Sequence, residues 1–539
     1  MRAVAVVVLE LPVSTGRRPS WDPRYQPCVP VISSEGVAAD LSLVEVLRWS
    51  EKLSSLFCPT PGEGVALVEY LLGICFAAGV FPSSSEEWRA WVAEEQSLEG
   101  AVAWLADQPA DQWDLFHPKH PLGQNSRLWP QFDEDCTGPA QLVIERAGDY
   151  CQFFDHHHLE HSAPLPAAEA FRAMLTQHVY GLSGRARLSG KRLGPKLTNL
   201  SAGRLQGRIR VVVQGRTVGD TLRLNLYPPA GGEAGHFNRS WTTGGNPRRE
   251  FTTKPPGRPT SGPADLHSCL GRSVLLRPVP ADEGEPVFVD RVLIGAGELI
   301  SLDPDRDLED AVLGKKALNG HRKPLWPSPT RALWRDAHAL YSAATTETTG
   351  LFGRLRDLWL REFAFPEGGD GPPCTLQAVG LIADKTLAAT WTEGRFPYAP
   401  SMGEALCEAS RDGSVIADHL ARALERAAYV AWKVMYPNPK PADRAAQMAR
   451  FDARREFWPA AEEPFLRLLS VTAGGADVPA ALRDYAGEVR SNAEDFLRQR
   501  LDALPRNEQG LIARSRAEER FRADMADVKA PAALRKETQ

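Results

Sequence analysis

The chain has no C-x-x-C pair, no apolar run long enough to span a membrane, and no overall positive charge. Each absence removes a class of protein. Eight cysteines, at 28, 58, 75, 136, 151, 269, 374 and 407, are scattered over 539 residues, a pattern of reduced thiols rather than a disulfide framework or zinc ribbon. The longest apolar run, 65–81, is interrupted by Glu69 and falls short of the roughly 20 residues a bilayer asks for. The opening AVAVVVLEL resembles a signal peptide only faintly, because Glu10 breaks it and STGRRPS is a poor cleavage context. A cytoplasmic protein without membrane contact is the expectation. The formal net charge of -5 does not announce nucleic-acid binding by the whole molecule. With 43% apolar and 24% charged residues, composition is that of an ordinary folded protein, long enough for two or more domains.

Charge is distributed unevenly instead. Residues 181–216, GLSGRARLSGKRLGPKLTNLSAGRLQGRIRVVVQGR, hold seven glycines and nine Arg or Lys, with no acidic and no aromatic residue. Adding Asp220, residues 181–220 carry +8, which leaves -13 for the rest. Glycine lets a backbone approach a partner closely, and clustered cations suit phosphates. Lacking aromatic platforms for stacking, the stretch points to duplex nucleic acid met through backbone, phosphate and groove. A mobile Gly/Arg loop beside a strand at 209–213 is the plainer reading of the same residues.

Other motifs carry less. A P-loop reading of Gly184 to Gly190-Lys191 fails on spacing, on Arg192 where Ser or Thr is required, and on the helix that precedes it. His157, Glu160 and His161 match the H-x-x-E-H of inverted zinc peptidases, so a metal-dependent hydrolase is the alternative function. Pro164 and Pro166 follow almost at once, however, and would leave its helix very short. His117-Pro118 and His120-Pro121 read as a stiffened structural turn. Asp303, Asp305 and Asp307 lack the glycine and glutamate of a calcium loop. Residues 228–262 read as a Gly-, Pro- and Arg-rich surface excursion. Lys315, Lys316 and His321-Arg322-Lys323 add another basic patch.

The expected fold class is α+β: a large mixed N-terminal domain over 1–400, then a four-helix bundle over 401–539. Helices are predicted at 41–56, 64–78, 86–106 and 166–177. In the last third, Ile416, Leu420, Ala423, Ala427, Val430 and Val434 follow bundle-seam spacing, as do Leu482, Tyr485, Val489, Ala493 and Phe496.

The segments DLFHPKHPLGQ (114–124), CQFFDHHH (151–158), VVVQG (211–215), LWPSP (325–329) and QAVGLIADKT (377–386) occur in an order that resembles CasA, the large subunit of the type I-E CRISPR surveillance complex Cascade. The resemblance implies a non-enzymatic subunit that reads the short PAM duplex from the minor groove, while guide RNA reads the target by pairing. It implies as partners the other Cascade subunits, the CRISPR guide RNA, double-stranded target DNA and an effector nuclease-helicase. Carried over by position, Gly184 opens the PAM-contacting loop and Arg185 and Arg187 make it cationic. Lys316, with Lys315 beside it, is the minor-groove lysine. Asp384, Lys385 and Thr386 form the strand-separating wedge; the lysine stands where relatives can have glutamine, whose paired donor and acceptor it cannot reproduce. Phe153 and Phe154 belong to a loop that docks into the complex. The cysteine cluster of some relatives has no counterpart, so no zinc or other cofactor is expected.

Overall fold

The computed structural model of the chain describes residues 19–146, 163–185, 199–241, 257–282, 284–301, 313–316, 322–346, 350–360, 374–384, 387–438 and 443–535. The chain divides into two compact units, one of 1–308 with 379–392, the other of 309–378 with 393–539.

In the first unit, β1 (Val29–Ser33) and β2 (Ala38–Leu41) form a hairpin turned at Gly36, whose φ of 81° favours glycine. Ser42 and Glu45 then make a reciprocal capping box for α1 (Leu43–Arg48). The single helix predicted over 41–56 stops there. β3 (Leu53–Leu56) returns to pair with β1, setting Leu56 opposite Val31. An open strand edge outweighs the weak helical preference of Ser54 and Ser55.

The unit is built around α2 (Pro61–Ala77). Thr60 caps it, Pro61 fits its first turn, and it is buried on nearly every side, which is why it reads as an apolar run rather than a stripe. The helix predicted over 86–106 is two, α3 (Ser85–Ala93) and α4 (Glu99–Asp107). Glu95 between them has φ 50°, a left-handed turn that no continuous helix could contain. After α5 (Trp129–Asp135) and β4 (Leu165–Pro166), α6 (Ala167–Tyr180) packs on α2. Tyr70 of α2 meets Phe171 of α6 edge-on with ring centroids 5.7 Å apart, and Phe237 at 5.4 Å.

Then come β5 (Gly184–Arg185), β6 (Asn199–Leu200), β7 (Ile209–Gln214), α7 (Val218–Asn225), α8 (Pro263–His267), β8 (Arg272–Pro278) and β9 (Phe288–Ala296). β9 lies between β4 and β8. The excursion predicted at 228–262 is less of a surface feature than its composition suggests. Asn238, Ser240 and Trp241 are buried. The Asn238 amide donates to Asp265 at 2.7 Å, and Arg258 grips the same carboxylate at 2.6 and 2.7 Å, so both ends of the excursion are tied to α8.

The second unit holds the hairpin β10 (Leu313–Lys316) and β11 (Arg322–Pro324), then α9 (Ala337–Thr346) and α10 (Gly350–Leu360). A long hairpin follows, β12 (Cys374–Asp384) and β13 (Leu387–Tyr398). Its outer part, 379–392, belongs to the first unit, where β12 lies between β13 and β7.

The remaining helices are α11 (Gly403–Met435), α12 (Arg444–Met448), α13 (Arg454–Ala473), α14 (Val478–Asp502) and α15 (Glu508–Ala526). α11, α13, α14 and α15 pack together as the predicted four-helix bundle, and α9 adds to it against α11. Gly413 lets α11 and α13 approach, since a Cβ there would lie 2.9 Å from Leu468. Ile416, Leu420, Ala423 and Ala427 are buried as the spacing predicts. Val430 and Val434 drift to the flank and Trp432 replaces them, while on α14 Leu497 rather than Phe496 faces inward. A straight helix drifts away from a strict seven-residue repeat in this way.

Candidate nucleic-acid interface

Part of the basic stretch serves the core of the first unit. Glu69, the one acid in the apolar run of α2, is 1% exposed and collects three partners. Arg204 pairs with it, Arg210 donates from Nε at 2.6 Å, and His267 donates from Nδ1 at 2.6 Å. Burial pushes the Glu69 carboxyl up, but the charges of Arg204, Arg210 and His267 more than offset this and hold it well below the usual carboxylate range. Arg216 faces Glu95 at 3.1 Å. Among the described residues, Arg204, Arg210 and Arg216 therefore have carboxylate partners within the unit.

The stretch also contains a two-stranded stem. β5 and β6 pair antiparallel, Gly184 opposite Leu200 and Arg185 opposite Asn199. Below them the Gly203 N–H donates to Gly181 O and the Leu205 N–H to Val179 O, both at 2.8 Å. Gly181 and Gly203 serve this close approach, not a ligand. A Cβ at Gly203 would lie 2.5 Å from Val179 O and 2.7 Å from Gly181 N.

The outer part of the β12–β13 hairpin is fixed beside the same root. Val379 and Leu381 enter the core of the first unit. Trp391 meets Tyr180, the last residue of α6, edge-on at 4.8 Å and donates its indole N–H to Glu145. Its ring lies on Gly62, where any Cβ would overlap it. The residue that delivers the chain into the basic stretch is thus in contact with the β12–β13 hairpin.

The family model described as CRISPR-associated protein Cse1 matches residues 25–501. The chain belongs to the Cse1 family. Cse1 from Acidimicrobium ferrooxidans has a similar fold, at 20% identity over 95% of this chain and 98% of that one, with a TM-score of 0.72. CasA (Cse1) of Thermus thermophilus matches at 18% identity over 94% of this chain and 98% of its own, TM-score 0.72. A chain of a CRISPR RNA-guided surveillance complex matches at 21% identity over 93% and 99%, TM-score 0.66. No curated protein sequence matches.

Two of the segments that carry the family resemblance have structural work here. In 114–124, Asp114 accepts from the N–H groups of Trp21 and Phe116 at 3.0 Å, and His117 Nδ1 accepts from the His120 N–H at 2.9 Å. Buried Gln124 donates to Leu115 O and accepts from the Leu276 N–H. The two histidines close a turn, as the His-Pro pairs imply. In 377–386, the residues up to Asp384 are strand β12.

Of the candidate site residues, Gly184 and Arg185 lie in the stem strand β5, Lys315 and Lys316 in β10, and Asp384 at the end of β12. Arg187, Lys385, Thr386, Phe153 and Phe154 lie outside the described residues, as do His157, Glu160 and His161 of the hydrolase alternative. Among the described residues no cluster of His, Cys, Asp or Glu suits a metal ion, the seven cysteines are free, and no helix is long and apolar enough to cross a membrane. Sequence reasoning missed Arg272 and Trp391, the two side chains that hold the root of the stretch. It named Glu69 only as a break in the apolar run 65–81, although an acid inside an apolar helix was a readable sign of a buried counter-ion.

Proposed function

We propose that the chain is the large, non-catalytic Cse1 subunit of a type I-E CRISPR RNA-guided surveillance complex in the cytoplasm. There it recognises the PAM in double-stranded DNA, promotes strand opening and recruits the effector nuclease-helicase. The observation that carries this reading is a family match over nearly the whole chain, with a two-stranded stem inside the cation-rich glycine stretch.

Glycine-rich backbone and the charges of Arg185 and Arg187 suit a duplex approached along its phosphates, and Lys316, with Lys315 as neighbour, enters the minor groove. Minor-groove edges distinguish base pairs poorly, so several PAM sequences would be accepted. Asp384, Lys385 and Thr386 then act as the wedge at the first base step, on a hairpin whose outer part is fixed to the first unit. Phe153 and Phe154 dock the chain into the complex. The DNA-facing elements fall in 1–400, and 401–539 forms the closing bundle.

Lys316→Ala and Lys385→Ala in the assembled complex are expected to weaken binding of PAM-bearing duplex and to reduce the salt slope of binding by about 1 each. Assembly with guide RNA is expected to be unchanged. Wild-type affinity and slope in both variants would refute these residue assignments.

A further inference from the structure

Arg272, the first residue of β8, is 1% exposed, and among the described residues no carboxylate pairs with it. Three main-chain carbonyls take its protons instead. Nη2 donates to Leu182 O at 2.7 Å, and Nη1 donates to Ser201 O at 2.7 Å and to Gly271 O at 2.8 Å. Leu182 and Ser201 flank the β5–β6 stem on opposite strands. Gly181 makes room, since a Cβ there would lie 2.6 Å from the guanidinium carbon. Burial lowers the Arg272 pKa to about 10, which still leaves the group charged at neutral pH.

An enclosed charge without a counter-ion is costly, and an apolar side chain would fill the same space more favourably. The distinctive contribution of the guanidinium is its rigid fork, which reaches both strands of the stem at once. A lysine keeps the charge but has no such planar fork.

We propose that Arg272 is the positioning residue of the glycine-rich loop. By joining Leu182 to Ser201 it fixes the two strands of the β5–β6 stem that belong to that loop. This rests on the reading of that loop as the PAM-contacting element.

The test uses the assembled complex with Arg272→Lys, Arg272→Met, and a third variant whose residues 186–198 are replaced by a Gly-Ser linker of equal length. Amide hydrogen exchange at Gly203 and Leu205 reports the stem. The ratio of affinities for duplexes with and without a PAM reports discrimination. Arg272→Lys is expected to assemble normally, to exchange faster at both amides, and to lose discrimination by roughly tenfold, as one lost bridging interaction would give. Arg272→Met is expected to lose at least as much.

Unchanged exchange in both point variants, or faster exchange with full discrimination, overturns the proposal. Failure of Arg272→Lys to assemble also overturns it, by making Arg272 a core residue. Full discrimination in the linker variant refutes the PAM-loop reading itself. Lost discrimination there, beside wild-type behaviour of Arg272→Lys, refutes the positioning role alone.

Discussion

Glu69 shows how far a residue's chemistry depends on partners the sequence does not display. Its neighbours along α2 are apolar, and its partners stand 135, 141 and 198 positions away. Glu69→Gln removes the carboxylate that Arg204, Arg210 and His267 share. It is expected to destabilise the first unit by about 3–5 kcal/mol at pH 7, measured by urea unfolding. The pH dependence has a definite sign. The folded carboxyl is held below its unfolded value of about 4.3, so its stabilisation is complete above that value and is lost as pH falls toward the folded one. The gap between wild type and Glu69→Gln is therefore expected to be constant from about pH 7 to 5 and to shrink below about pH 4. An unchanged gap there would mean that Glu69 is not the titrating anion of this cluster. The nine cations of 181–216 were legible as composition, but their division was not, because burial is a property of the partner as much as of the arginine.

Among the elements, the bundle was readable because its stripes recur at helical spacing and its partners are other helices of the same kind. The elements nearest the proposed site were less so. α1 and β3 came out of one predicted helix because a strand edge was waiting for Leu53–Leu56. The β12–β13 hairpin was visible only as a family segment, since Trp391 is held by Gly62, Glu145 and Tyr180 from distant parts of the chain. Trp391→Ala is expected to remove about 3–5 kcal/mol by truncating a large packed ring. Gly62→Ala displaces that ring and is expected to destabilise as well. Once Trp391 is gone the new methyl has nothing to strike, so the double variant Gly62→Ala/Trp391→Ala is expected to be no less stable than Trp391→Ala alone. Strict additivity in the urea-unfolding cycle would show that the two residues do not share this contact.

For the whole molecule, the contrast between a cationic stretch and an acidic body is met in part inside the fold, where Arg204, Arg210 and Arg216 have carboxylate partners. Fold class and family were legible because many segments keep a common order over nearly the entire chain. The anchoring of the stretch was not, since it is made by single residues from α2, α8 and β8. The same anchoring bears on synthesis. Glu69 emerges from the ribosome early, but its last partner, His267, follows about two hundred residues later, and the first unit also includes 379–392. Such long-range contacts close slowly. A fragment of residues 1–308 is expected to be soluble only with difficulty and to unfold without the cooperativity of the full chain, and adding 379–392 as a separate peptide should restore part of it in calorimetry. Full cooperativity of 1–308 alone would refute this. The first unit is thus completed only after residues 309–378 of the second have been translated, so synthesis interleaves the two units instead of finishing one before starting the other.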